Sequence, residues 1–152
     1  MSSLRAMIEH VSGMAEAMFD PDDILAPHYY AENGKGQITL VAVLASGRDL
    51  DRMRADIALR FKLERYRRWV FFSEAWAVEY DAGAKSVEPS KHPERMEVIQ
   101  FQALDIATDR ALRARRQILR LGEDVKLMPL HFGGPRAVDV PAATEVAERT
   151  SA

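Results

Sequence analysis

The chain has 152 residues, 47% hydrophobic and 29% charged, with a formal net charge of -2 and a pI of about 6.1. That length suits one domain with a core of its own, and the near balance of charge argues against a chain wholly devoted to nucleic acid. There is no cysteine, which excludes disulfides, thiolate zinc sites, iron–sulfur clusters and cysteine nucleophiles.

The N-terminal stretch MSSLRAMIEH has no uninterrupted apolar h-region, so no secretory signal is expected. No run approaches the ~18 to 20 apolar residues of a membrane span. The expectation is a soluble, cytoplasmic protein with no membrane partner.

In residues 3 to 19, Leu4, Met7, Ile8, Val11, Met14, Ala15 and Met18 recur at i, i+3, i+4, i+7. The spacing predicts an amphipathic helix, capped by Ser2 or Ser3 and ended at Asp20-Pro21, because the residue before proline leaves the α region. Its methionines would repack readily against a partner as well as against a sheet.

His28 to Glu32, the turn Asn33-Gly34-Lys35-Gly36 and the run Gln37 to Leu44 (QITLVAVL) predict a hairpin, since asparagine and glycine tolerate positive φ. The unbroken apolar run reads as a strand buried on both faces. A second helix is expected from about Asp49 to Tyr66, with Leu50, Met53, Ile57 and Phe61 inward and arginines along its flanks and end.

Trp69 to Tyr80 (WVFFSEAWAVEY) is the clearest strand, with Val70, Phe72, Trp76, Val78 and Tyr80 on one face and Trp69, Phe71, Ala75 and Ala77 on the other. Asp81 to Pro93 is a loop. Arg95 to Ile106, Leu112 to Leu121 and Val125 to Phe132 complete a meander, with Pro129 suited to an edge strand; residues 110 to 120 could instead be helical. The predicted class is α+β: two helices on one face of a mainly antiparallel, meander-rich sheet. Residues 1–132 form the single domain, and 133–152 are expected to be a flexible tail.

Glu74 falls between Phe72 and Trp76 on an apolar face. A buried carboxylate has to be paired, protonated or functional. Arg116, Arg120, Gln100 and Gln102 lie on strands that could neighbour it, so a bond that fixes strand register is the first reading. A catalytic or ligand-contacting carboxylate, or a bulge that turns Glu74 to water, are the alternatives.

His10, His28, His92 and His131 show no metal-ligand spacing. A site from His92, Glu94 and Glu97 lacks a second nitrogen ligand, so no metal and no cofactor is expected. Ser73 and Ser90 have no elbow glycines, and Asn33-Gly34-Lys35-Gly36 lacks the Walker spacing.

Arg113 and Arg115 would point to one side of a strand, Arg116 and Arg120 to the other. Cross-strand pairs with Glu97 and Asp105, and with Glu79 and Glu74 one strand further on, account for much of such a run. The alternative is an anion-binding surface for a nucleotide or nucleic acid, with Trp69 and Tyr66 as stacking residues.

Ser73-Glu74-Ala75-Trp76, then Ser90-Lys91-His92-Pro93-Glu94-Arg95-Met96-Glu97, then Ile118-Leu119-Arg120 resemble a set of short bacterial and phage proteins. Those carry an S-E-x-W strand, an S-x-H-P-x-R-x-E loop and a following Ile-x-Arg hairpin. The resemblance spans roughly Gln37 to Leu121 and implies a shared fold with no assigned activity. It also implies that Glu74, Trp76, His92, Arg95 and Glu97 act together.

With no catalytic signature in the chain, the leading expectation is a non-enzymatic interaction or regulatory module that forms homo- or hetero-oligomers. The alternatives are a small enzyme or ligand-binding domain around Glu74, His92 and Glu97, and nucleic-acid binding through the arginine strand.

Overall fold

A computed structural model describes residues 3–78, 94–133 and 137–139, the last three by their backbone only. Helix α1 (Leu4–Met18) starts at Ser3, whose hydroxyl accepts the Ala6 amide at 3.1 Å. Its stripe Met7, Ile8, Val11 and Ala15 is completely buried, as the 3.6-residue period requires.

Strands β1 (His28–Asn33) and β2 (Ile38–Ala42) form the expected hairpin. At the turn, the Asn33 Oδ1 accepts the Lys35 and Gln37 amides at 2.9 Å, and Gly36 takes φ 78°. Helix α2 (Gly47–Leu63) follows, shorter at its end than the arginine run suggested. Arg68 accordingly lies in β3 (Tyr66–Val78) and is buried against Glu32 at 3.0 Å.

β4 (Met96–Asp105) and β5 (Arg110–Leu121) are long partners, so residues 110 to 120 are strand. β6 (Asp124–Leu127) and β7 (His131–Phe132) both pair with β5. Ile118 faces Leu127 whereas Ala114 faces Phe132, so one extra residue is accommodated around Pro129 as a bulge. From the segment read as a tail, β8 (Ala137–Asp139) pairs with β3 at Trp76–Val78.

The strand order is β2-β1-β3-β4-β5-β6, every pairing given is antiparallel, and the class is α+β. One detail differs from the sequence expectation: the helices do not share a face. Met7, Ile8, Val11 and Ala15 of α1 pack with Tyr30, Val70, Phe72, Ile99 and Phe101. Leu50 and Phe61 of α2 pack with Tyr29, Ala31, Trp69 and Phe71. Side chains alternate along a strand, so these are opposite faces of β1 and β3. A central strand that is apolar on both faces needs a cover on each.

The strand over QITLVAVL also departs from expectation. β2 is an edge strand, with Ile38 46% and Leu40 45% exposed. An apolar run of that length has the same pattern at a sheet's edge as at its centre, and here one side of β2 pairs with β1 and the other with no described strand. Among the described residues, no helix is long and apolar enough to cross a membrane.

Candidate functional site

Glu74 lies on the α1 face of β3 with 1% exposure. β1 pairs with β3 only as far as Phe72, and β8 takes up that edge again at Trp76. In the interval the Glu74 Oε2 accepts the backbone amide of Leu25. A side chain there does what a ladder bond would have done, and it pins the connection between α1 and β1 to the sheet. Donor and acceptor are both buried, so losing either partner would leave the other unsatisfied in the core.

The expected side-chain partners of Glu74 turn elsewhere. Arg116 shares its row through Ile99, but its Nε donates to the Met128 carbonyl at 2.8 Å and its Nη2 reaches Glu16 at 3.3 Å. Arg120 donates its Nε to both Glu97 oxygens at 3.0 Å and its Nη1 to the Pro21 carbonyl at 3.1 Å. Gln100 and Gln102 are on the opposite face: Gln100 donates to Ser73 at 2.9 Å, and Gln102 accepts from Arg54 at 2.8 Å.

Of the polar cluster Glu74, His92, Arg95 and Glu97, the structure brings two members together. Arg95 lies 4.8 Å over the ring of Trp76, and Trp76 is the cross-strand neighbour of Glu97. With Arg120 they line an open hollow of about 420 Å³. Glu74 sits two positions further along β3 and is engaged by Leu25; His92 lies outside the described residues, as do Glu79 and Ser90. Glu97 is held by a guanidinium, so its use as a base would cost the Arg120 contact. Among the described residues, no three His, Asp or Glu side chains converge so as to hold a metal.

The four arginines Arg113, Arg115, Arg116 and Arg120 do not form one anion-binding surface. The register puts Arg113 opposite Gln102 and Arg115 opposite Gln100, on the α2 face. Arg116 and Arg120 are on the α1 face and donate to the Met128 and Pro21 carbonyls and to the Glu16 and Glu97 carboxylates. The expected stacking pair is also occupied: Trp69 packs edge-on against Tyr29 at 5.1 Å, and Tyr66 against Phe61 at 4.8 Å.

The outer edge of β2 presents different chemistry. The Asn33 amide donates to the Gln37 carbonyl at 3.0 Å, and the Val43 amide to the Pro27 carbonyl at 2.8 Å. These bonds set the phase of the hairpin ladder: Gln37, Thr39, Val41 and Val43 bond inward, while Ile38, Leu40 and Ala42 turn their N–H and C=O groups outward. The strand ITLVA carries no charge and no proline. Leu44, just beyond the strand, is 85% exposed.

Beneath this edge lie the two tyrosines of β1. Burial pushes the Tyr29 hydroxyl above its ordinary value, partly opposed by Arg54, whose Nε donates to it at 3.1 Å. Tyr30 is raised by burial and by the negative charge of Glu32.

No protein-family model matches the chain, and neither a curated protein nor a solved structure matches it.

Proposed function

We propose that this chain is a non-enzymatic interaction module that associates with a second copy of itself through β2. The observation that carries the reading is an edge left open among the described residues: three N–H and three C=O groups at Ile38, Leu40 and Ala42, with Ile38 and Leu40 about half exposed. An unprotected edge of this kind is a template for strand pairing.

The strand is complementary to itself. Paired antiparallel about a two-fold axis at Leu40, Ile38 meets the partner's Ala42, Leu40 meets the partner's Leu40, and Thr39 meets the partner's Val41. In this register all six outward groups find partners, and no like charges oppose each other. A closed two-fold arrangement also consumes the edge, so it stops at the dimer. Five residues a side are short of a standard interface of roughly 800 Å² per partner, so the association is weak and depends on concentration. The sequence resemblance to short bacterial and phage proteins brings no activity that would argue for a different reading.

Sedimentation of the full chain over a range of concentrations tests this. The expected result is a monomer–dimer equilibrium, with the Ile38, Leu40 and Ala42 amides exchanging more slowly as the dimer forms. Leu40→Lys should leave the fold intact and the chain monomeric. A wild-type chain that stays monomeric throughout, or a dimer whose β2 amides exchange as fast as those of the monomer, would overturn the proposal. In the second case another surface, or another partner, does the docking.

A further inference from the structure

Arginines do converge on a cavity, but not the ones that cluster in the sequence. Between the start of α1 and the β4–β5 turn lies a hollow of about 330 Å³, lined among others by Leu4, Arg5, Arg68, Asp105, Thr108 and Arg110. We propose that this cavity binds the phosphate group of a small phosphate monoester.

The donors there are prepared. In the first turn of α1 the Ala6 amide is taken by the Ser3 hydroxyl, and the Met7 amide makes the first bond to a helix carbonyl, that of Ser3 at 3.0 Å. The Leu4 and Arg5 amides therefore have no acceptor within the helix, and no acidic side chain occupies the first turn. Two free amides at the positive end of a fifteen-residue helix favour an oxyanion.

The arginines add independent weight. Arg68 is 6% exposed and its Nε is fixed on Glu32 at 3.0 Å, so its position is set before any ligand arrives. Arg110 stands opposite Asp105 in the strand register, yet no ion pair joins them. Asp105 instead accepts the Thr108 amide at 3.2 Å. Among the described residues Arg110 has no hydrogen-bond or ion-pair partner, so its planar fork is available for a tetrahedral anion. Arg5 lies over the Phe132 ring at 4.2 Å and pairs with Glu9 at 3.5 Å on the exposed side of α1.

The size selects the ligand class. Small-molecule sites begin near 300 Å³. The cavity therefore holds more than a bare phosphate but offers no track for a nucleic-acid strand, which would need a continuous basic groove. The cavity is on the α1 face at the β4–β5 turn, away from the β2 edge, so this inference stands apart from the dimer.

The test is an amide-resolved NMR titration of the full chain with inorganic phosphate and with phenyl phosphate, at constant ionic strength. Saturating shifts are expected at Leu4, Arg5 and Thr108 to Arg110, with phenyl phosphate the tighter of the two. Arg110→Glu should weaken binding about tenfold or more, as expected for loss of one charge-assisted bond, and leave the rest of the spectrum in place. Arg5→Gln is the second variant, expected to weaken binding less, and Leu40→Lys should leave it unchanged. Shifts that rise linearly without saturation, that scatter over the surface, or that persist in Arg110→Glu would overturn the proposal.

Discussion

The two outer strands of the sheet solve the edge problem in opposite ways. β6 has four residues, two of them charged, and the chain beyond it bulges at Pro129 before β7 resumes the pairing. Arg116 reaches into that bulge to hold the Met128 carbonyl, and Arg120 ties the neighbouring end of β5 to Glu97 and Pro21. β2, by contrast, has five uncharged residues and, among the described residues, one side-chain hydrogen bond, between the Thr39 and Tyr66 hydroxyls at 3.1 Å. Charge, a short strand, a proline and a bulge are all means of blunting an edge; β6 and the turn after it use each of them, whereas β2, one residue longer, carries neither charge nor proline. The difference teaches that one end of the sheet is tied by polar bonds to α1 and the segment after it, while the outward backbone groups of the other meet no strand among the described residues.

That contrast breaks most readily at Glu74. Glu74→Ala leaves the Leu25 amide without its acceptor and opens space in the core. Together these should cost about 3 kcal/mol in urea unfolding, or a fall in Tm of roughly 6 to 12 °C for a chain of this size. Glu74→Gln keeps an acceptor oxygen and should cost less. Equal losses for the two variants would show that the charge, not the acceptor, holds the connection.

Arg116→Ala comes next, at about 2 kcal/mol. The Met128 carbonyl loses its donor, while the exposed Glu16, 60% accessible in this pair, adds little once solvent screening is counted. Leu40→Lys should change monomer stability by less than about 0.5 kcal/mol, as is usual for a surface substitution, and abolish association. If Leu40→Lys destabilised the monomer as strongly as Arg116→Ala, β2 would be as tightly tied as the β5–β6 end and the comparison would fail.

Much of this frame was legible in the sequence, and the limits have physical causes. The α1 stripe, the Asn-Gly hairpin and the two apolar faces of β3 come from local periodicity and turn chemistry. The double apolar face of β3 also held the signal that two helices would be needed on two faces. The exposure of β2 was illegible, because Ile38 to Ala42 look alike whether or not a further strand lies alongside. The partner of Glu74 was illegible for another reason: it is a backbone amide 49 residues away, and backbone amides leave no mark in a sequence. The same holds for the cavity arginines. Arg5, Arg68 and Arg110 come from a helix and two strands, so no window contains them, whereas the visible run from Arg113 to Arg120 is divided between two faces by strand alternation.

The smallest expected effect concerns alkaline pH, and it probes the β2 end from beneath. Tyr29 and Tyr30 both titrate above their ordinary value of about 10 in the folded chain because burial disfavours the phenolate. In the unfolded chain they release protons near pH 10, so above that pH the unfolded state binds fewer protons than the folded one. Stability from these groups is therefore complete below pH 10 and is lost as the pH rises toward the folded values. Both tyrosines lie on β1, the strand that carries β2. Amide exchange in β1 and β2 should consequently accelerate above pH 10 more than exchange in β5 and β6, after correction for the intrinsic pH dependence. Tyr29→Phe, which has no proton to lose, should flatten that response. A uniform loss of protection across the sheet would instead mean that the two ends unfold as one unit.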